Sequence, residues 1–288
     1  LYGWLFGFGY FLSSLYWISI SLTFDENFKF LIPLTIFLIP SFLALFYGLI
    51  SYLFAILKPK KLVNAFLVFS IIFGLLEFIR GSILSGFPWN LIVYSFSNQL
   101  EILSLISIIG TYGLNLFCIS LFTSPAIFFL RDNRKDIAVP ILFFIMVIIF
   151  YFYGSFYKEK FDNTISQTYE YKVRVIGSNV SLSRFYSNSN PVLIIQDLIE
   201  VSNPNPDEKT IFVWPEGILP DIYQKELKEY SWLFSENFNE NHLLVMGINS
   251  QLINGELKNY FNSFSIYDHK LNLLNSYNKI KLVPFGEY

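Results

Sequence analysis

The chain has 288 residues, of which 53% are hydrophobic, 20% aromatic and only 15% charged. A soluble globular domain has about 25% charged residues, so this composition excludes a single ordinary soluble domain as well as a disordered or strongly charged nucleic-acid-binding chain. The formal net charge of −2 implies no bulk electrostatic partner, and the single cysteine excludes an intramolecular disulfide.

Charged residues are distributed unevenly along the chain. Residues 1–156 contain 14 of the 42 Asp, Glu, Lys and Arg residues, and residues 157–288 contain the other 28. The charged fraction therefore rises from about 9% to about 21% near Phe156. This step predicts a membrane domain over residues 1–156, followed by a water-soluble domain over residues 157–288.

The first half contains five apolar stretches that are long enough to cross a bilayer as helices, which takes about 20 residues. They are Leu1–Leu22, Phe30–Leu57, Leu62–Ile79, Ile102–Leu130 and Ile137–Phe156. Prolines in the second stretch and glycines in the fourth predict kinks or close helix contacts. The sequence thus predicts a polytopic α-helical membrane domain with five transmembrane helices.

Basic residues in the connecting loops predict an orientation. Six of them lie in the loops after the second and fourth stretches, namely Lys58, Lys60, Lys61, Arg131, Arg134 and Lys135. The opposite loops carry Lys29 and Arg80. Because cytoplasmic loops are enriched in Lys and Arg, residues 157–288 are predicted on the other side of the membrane, in the periplasm of a Gram-negative cell.

The loop from Arg80 to Glu101 is unusually apolar for a solvated connection and contains Trp89. Such a segment suits the membrane–water boundary, where aromatic residues settle. Glu77 and Arg80 are three residues apart and share a face at the end of the third stretch. Their spacing leaves two interpretations open, a structural ion pair or a site that handles a lipid headgroup.

The second half alternates predicted strands and helices, which indicates an α/β domain. The predicted strands are Tyr171–Ile176, Thr210–Trp214, Leu243–Ile248, Asn259–Tyr267 and Leu271–Asn278, and the predicted helices are Val192–Val201 and Ile222–Glu236. His242 and His269 match no metal-ligand spacing, so both are predicted on the surface. The sequence also predicts no metal cluster and no glycine-rich phosphate loop.

Two segments carry residues suited to catalysis. In residues 211–220, a strand runs into a Pro-Glu-Gly turn that presents the Glu216 carboxylate at the end of the strand, where α/β folds place functional groups. Glu216 is either a general base or a solvated turn residue. Residues 277–288 place Lys279 on a strand before a further acid, Glu287, and taken alone this segment also fits surface lysines on an edge strand.

Together these segments resemble the carbon–nitrogen hydrolase (nitrilase) superfamily, and most closely its membrane-bound branch, the apolipoprotein N-acyltransferases. The motifs are Trp-Pro-Glu at 214–216, Tyr-x-Asn-Ser at 260–263, Tyr-x-Lys-x-x-Leu-Val-Pro-Phe-Gly-Glu at 277–287, Gly-Phe-Pro-Trp-Asn at 86–90 and Gly-Thr-Tyr-Gly at 110–113. The resemblance covers nearly the whole chain. It implies a nitrilase-like αββα sandwich in the periplasm, held between the last two of eight spans, and a chain truncated at both ends.

The resemblance implies transfer of an acyl chain from a phospholipid to the N-terminal amine of diacylglyceryl-cysteine lipoproteins at the bacterial inner membrane, without a cofactor, metal or nucleic acid. It implies that Glu216 is the general base, Lys279 the catalytic lysine and Glu287 a further acid near the active site. Trp89 and Asn262 are predicted to bind substrate. A thiol needs a base to become the attacking thiolate, and the tetrahedral intermediate needs a fixed cation or donor.

In this family the nucleophilic cysteine follows the lysine segment by some tens of residues. The single cysteine here, Cys118, lies inside the fourth apolar stretch and is predicted to be a small buried apolar residue. We therefore expect that this chain, as a fragment, forms no thioester and is inactive.

Two alternatives stay open. The first is a membrane-tethered nitrilase-type amidase, in which water resolves the acyl-enzyme, and the second is a non-catalytic membrane scaffold. The apolar loop around Trp89 favours acyl transfer, because it lets lipid tails approach the site.

Overall fold

The computed structural model describes residues 1–83, 86–131, 133–164, 169–177, 190–219, 221–254 and 257–282. The chain divides into two compact units, Leu1–Ile165 and Ser166–Tyr288. The last helix of the first unit continues to Asp162, and its final turns carry charged residues. The composition step near Phe156 therefore marks where this helix becomes polar, and the helix itself ends later.

The first unit is helical. Its α-helices are α1 (Tyr2–Leu15), α2 (Ile32–Leu57), α3 (Leu62–Arg80), α4 (Leu100–Leu103), α5 (Ile106–Thr123), α6 (Ala126–Leu130) and α7 (Ala138–Asp162), and 3₁₀ segments cover Tyr16–Thr23, Glu26–Leu31, Ile92–Phe96 and Arg134–Ile137. In the described residues, five helical segments are long and apolar enough to cross a membrane: Tyr2–Thr23, Glu26–Leu57, Leu62–Arg80, Ile106–Leu130 and Arg134–Asp162. The predicted helical membrane domain is confirmed.

Two buried clusters form the core of the helical unit. One joins α1, α2 and α3 around Phe11, Leu43 and Leu76. The other surrounds α5 and includes Leu114 and Cys118, both fully buried. Cys118 is thus a small core residue, as predicted. Many Phe, Leu and Ile side chains on the outer faces stay exposed, as lipid-facing helices require.

A backbone kink interrupts the fourth span at Gly110. This residue has φ 71° and ψ 168°, a conformation open only to glycine at low cost. The helix axis therefore changes direction at Gly110, inside α5. The kink predicted for this stretch is present.

The second unit is built on one five-stranded sheet. Its strands are β1 (Lys172–Val175), β2 (Thr210–Val213), β3 (His242–Asn254), β4 (Leu257–Asp268) and β5 (Leu273–Asn278), in the order β1-β2-β3-β4-β5. The first three strands are mutually parallel, and β3, β4 and β5 form an antiparallel meander. Helices α8 (Pro191–Ser202) and α9 (Ser231–Asn237) accompany the sheet, so the α/β class is confirmed. The second sheet of an αββα sandwich stays a prediction.

The core of this unit lies between the sheet and its helices. It is formed by side chains that include Leu198 of α8, Phe212 of β2, Phe234 of α9 and Leu244 of β3. Arg174 lies on the same face as Phe212, with its guanidinium 5.9 Å from the ring centre. Since side chains alternate along a strand, Val173 and Val175 are on the opposite face, where they are 65% and 75% exposed.

The predicted helix over Ile222–Glu236 is wrong in its first part. Tyr223 forms a parallel bridge with Asn249, and the Gln224 amide donates to the Asn249 carbonyl at 2.8 Å. Helical structure covers only the 3₁₀ segment Glu226–Tyr230 and then α9. Tyr223 and Gln224, which the amphipathic pattern placed in a helix, therefore pair with β3 instead.

His242 is buried and only 1% exposed, so its predicted surface position is wrong. Its Nδ1 accepts the Asn239 amide at 3.1 Å, which leaves Nε2 to donate to the Asn205 carbonyl at 2.9 Å. The rings of Phe212 and Phe238 contact the imidazole edge-on. With both ring nitrogens hydrogen-bonded, the imidazole leaves no polar atom unsatisfied inside the core.

Candidate active site

The Glu216 carboxylate leaves β2 at a rigid strand end. The Trp214 amide continues the ladder to the Val245 carbonyl at 2.8 Å, and the buried indole donates from Nε1 to Ser202 Oγ at 2.9 Å. Gly217, with φ 67°, then turns the chain away from the strand. Such a positive φ favours glycine, which is why a Pro-Glu-Gly sequence forms this turn.

Three of the predicted site residues meet at one carboxylate oxygen. Asn262 Nδ2 donates to Glu216 Oε1 at 2.6 Å, and Lys279 Nζ lies 3.4 Å from the same oxygen. The Lys279 amide also donates to the Asn262 carbonyl at 2.8 Å, which joins the lysine to β4. Strand pairing thus gathers an acid, an amide and a cation that lie far apart in the sequence.

Strand β3 passes directly beneath the acid at Gly247. A Cβ on this residue would lie 2.9 Å from Glu216 Cα and 3.1 Å from Glu216 Cβ and Cγ. Side chains essentially never approach so closely, so the acid can sit here only because residue 247 is glycine. The close approach fixes how far Glu216 stands from the sheet.

Serine and asparagine side chains hold the end of the sheet next to the lysine. Ser263 Oγ donates to Asn278 Oδ1 at 2.8 Å and lies 2.6 Å from Ser250 Oγ. These contacts link β3, β4 and β5 immediately before Lys279. They give the lysine backbone a defined position although its side chain is partly exposed.

A cavity of about 280 Å³ opens at this place and is lined by Trp214, Glu216, Gly247, Asn262, Ser263, Phe264, Tyr277 and Lys279. Ligand pockets of drug size occupy about 300–1,000 Å³, so this cavity suits a small reacting group. The side chains of Lys279 and Glu216 are 35% and 61% exposed. Such an exposed ion pair contributes about 1 kcal/mol or less to stability, so its interest is chemical.

Of the two other predicted site residues, the structure describes only one. Glu287 falls in residues 283–288, outside the described residues, so its role stays a prediction. Trp89 belongs to the helical unit, where its ring is 49% exposed and stacks on Trp17 with 5.3 Å between ring centres. No sequence signal pointed to Trp17 as its partner. The described residues contain no cluster of three His, Cys, Asp or Glu able to hold a metal ion.

Apolipoprotein N-acyltransferases are among the known proteins that are similar to this chain. Residues 1–124 match the family described as the apolipoprotein N-acyltransferase N-terminal domain. The chain is 31% identical over 291 residues to the apolipoprotein N-acyltransferase of Rickettsia prowazekii. The matched region includes 100% of this chain and 57% of the relative. The chain is similar to apolipoprotein N-acyltransferases along nearly its whole length.

Two further apolipoprotein N-acyltransferases match at similar levels. The Brucella melitensis protein is 28% identical over 296 residues, which is 99% of this chain and 54% of the relative. The Rhodopseudomonas palustris protein is 28% identical over 300 residues, covering 99% and 55%. The chain thus spans about half the length of the apolipoprotein N-acyltransferases that it matches, and the resemblance found in its motifs is confirmed.

Proposed function

We propose that this chain supplies the general base and the catalytic lysine of an apolipoprotein N-acyltransferase. The proposed reaction moves an acyl chain from a phospholipid to the N-terminal amine of a diacylglyceryl-cysteine lipoprotein, through a cysteine thioester. The observation that carries this proposal is the single Glu216 oxygen approached by Asn262 at 2.6 Å and Lys279 at 3.4 Å. The names of the homologues support acyl transfer.

In the first half-reaction, Glu216 accepts the proton of a cysteine thiol. The thiolate then attacks the ester carbonyl of the phospholipid, and the Lys279 ammonium stabilises the oxyanion that forms. When the tetrahedral intermediate collapses, the C–O bond breaks, Glu216 returns its proton to the leaving alkoxide, and a lysophospholipid departs. The acyl chain is then held as a thioester.

In the second half-reaction, the lipoprotein amine attacks the thioester carbonyl. Glu216 accepts the proton that the amine loses, the C–S bond breaks, and protonation of the departing thiolate restores the starting state. Asn262 was predicted to bind substrate, and a substrate contact stays a prediction. Its hydrogen bond suits a further role, because a carboxylate with one oxygen held by an amide keeps a fixed orientation for proton transfer.

The test uses variants of the protein that is expressed from the natural gene, purified in phospholipid bilayers. With alkyne-tagged phospholipid, Glu216→Gln and Lys279→Met are expected to reduce thioester formation at least 100-fold, because each removes one essential charge. Glu229→Gln and Lys281→Met change exposed residues of the same types and should retain activity. Unchanged thioester formation in Glu216→Gln and Lys279→Met would contradict these catalytic roles, whereas no acylation by the unsubstituted protein would support a non-catalytic scaffold.

A carbon–nitrogen amidase remains the second candidate, because the same acid–lysine pair suits hydrolysis of an amide. In that case water would resolve the acyl-enzyme, and the chain would need no contact with lipid at Trp89. The half-exposed indole of Trp89 favours transfer from a lipid donor.

A further inference from the structure

The segment Gly86–Phe96 packs among the helices of the first unit; its backbone is irregular as far as Leu91 and then forms the 3₁₀ segment Ile92–Phe96. Leu91 and Val93 are only 2% and 0% exposed. The Val93 amide donates to Asn115 Oδ1 of α5 at 3.0 Å, and the Phe96 ring stacks on Phe122 of the same helix. Because non-helical backbone in apolar surroundings needs partners for its polar groups, this segment depends on side chains from the helices.

Arg80, the last residue of α3, is the main partner of this segment. Its Nε and Nη2 donate to the two carboxylate oxygens of Glu77 at 3.0 and 2.8 Å. Its Nη1 donates to the carbonyls of Phe87 at 2.7 Å and Trp89 at 3.0 Å. The guanidinium also lies over the Phe11 ring at 5.3 Å.

Neither member of this ion pair is accessible to a lipid headgroup. The side chains of Arg80 and Glu77 are 0% and 1% exposed. Of the two interpretations left open by their spacing, the headgroup site therefore does not fit. Replacing a buried ion pair by well-packed hydrophobic residues of similar volume is often neutral for stability, so stability alone gives little reason for the pair.

The contacts of Arg80 fix the backbone on both sides of the Trp89 ring. The following residue, Asn90, adopts φ 58°, and its carbonyl accepts the Tyr10 hydroxyl at 2.7 Å. Held in this way, the Trp89 indole lies parallel to that of Trp17, with 14° between the ring planes. The two rings, 49% and 44% exposed, form one continuous aromatic surface.

We propose that Arg80, held by Glu77, is a positioning residue that fixes Trp89 against Trp17, and that the paired indoles form the surface on which the phospholipid acyl donor is received. Indoles are amphipathic and settle at the level of the lipid headgroups. Their uncharged surface suits the ester region that phospholipids share and gives no preference for an anionic headgroup. The identity of the donor rests on the proposed acyl transfer, whereas the positioning does not.

The test is ¹⁹F NMR of the chain labelled with 5-fluorotryptophan in phospholipid nanodiscs. Trp17→Phe and Trp89→Phe assign the two signals, and each substitution is expected to shift the signal of the other ring. In the uncharged double variant Glu77→Gln/Arg80→Gln, both signals should move and broaden. The Trp4 signal reports whether α1 still packs on α2, since its Nε1 donates to the Ser41 carbonyl. Unmoved Trp17 and Trp89 signals would overturn the proposal.

A second variant keeps the test decisive if the double variant also disturbs Trp4. Arg80→Lys retains the charge beside Glu77 but lacks the planar fork that reaches two carbonyls, so it is expected to move the same two signals. The matched control is Arg174→Lys, because Arg174 Nη1 makes the same kind of contact with the carbonyls of Ser202 and Asn203 at 2.7 and 2.8 Å. Movement of the paired signals in Arg174→Lys but not in Arg80→Lys contradicts the proposal.

The lipid contact is measured separately by relaxation. A phospholipid spin-labelled near its ester groups should broaden the Trp17 and Trp89 signals more than a water-soluble gadolinium chelate does. Trp232, which is 51% exposed in the α/β unit, and the buried Trp214 serve as reference indoles. Stronger broadening of Trp17 and Trp89 by the chelate would refute the lipid surface. Because no acyl transfer is measured, failure of the proposed function would leave these results unchanged.

Discussion

At the scale of single residues, the candidate site depends on how closely Glu216 approaches the sheet. The acid, Asn262 and Lys279 contribute their polar groups, while Gly247 contributes the space in which the acid stands. The resemblance of the motifs to a known family singled out the polar residues, whereas spacing alone left Glu216 and Lys279 open to ordinary surface positions. Neither the resemblance nor the spacing indicated that the polar residues meet at one oxygen, because that depends on the pairing of β3, β4 and β5.

Gly247→Ala is expected to displace Glu216, since the new Cβ would lie 2.9 Å from Glu216 Cα. Misplacement of a catalytic group by about 1 Å costs about 100-fold in rate, and overpacking costs about 1–3 kcal/mol of stability. Both effects are measured on the protein expressed from its natural gene, the first by thioester formation and the second by chemical unfolding of the same preparation. Gly177→Ala is the control, because its Cβ would meet nothing within 4 Å. Equal activity of both variants would contradict this role of Gly247.

At the scale of elements, hydrophobic length and alternation predicted the five spans and the positions of all five described strands. The exceptions have local causes. The start of the predicted helix at Ile222 joins the sheet through Tyr223, because tertiary pairing overrides an amphipathic pattern. His242 is buried because backbone groups satisfy both of its nitrogens, and composition gives no sign of such partners.

A substitution at Trp89, in the segment Gly86–Phe96, distinguishes the two candidate reactions. Trp89→Ala removes a half-exposed indole, so transfer from a phospholipid donor is expected to fall about 10-fold or more, whereas an amidase acting on a water-soluble amide should be unaffected. The variants are compared by their initial rates, measured over a series of donor concentrations. Trp232→Ala removes an equally exposed indole from the other unit and serves as the control. Undiminished phospholipid transfer in Trp89→Ala would contradict a donor contact at Trp89.

At the scale of the whole molecule, the chain combines a helical unit that has five potential spans among its described residues with an α/β unit that carries Glu216 and Lys279, the proposed base and catalytic lysine. Its one cysteine, Cys118, is fully buried in an apolar cluster. We therefore expect no covalent acyl group on this chain after incubation with phospholipid, because a thiol without a nearby base and without access is a poor nucleophile. Intact-mass measurement before and after hydroxylamine treatment checks this. A hydroxylamine-sensitive mass increase would contradict it.

The exposed valines of β1 have a practical consequence for handling the α/β unit. Val173 and Val175 stand at an edge of the sheet, and Phe264 of β4 is half-exposed. Lys172 and Arg174 alternate with these valines, and the ion pair between Lys172 and Glu208 holds the pKa of that carboxyl below its usual range. The charges of Lys172 and Arg174 oppose strand-to-strand association, and salt screens this repulsion. Purification of this unit away from its membrane helices is therefore best kept at low salt, where edge charges suppress aggregation.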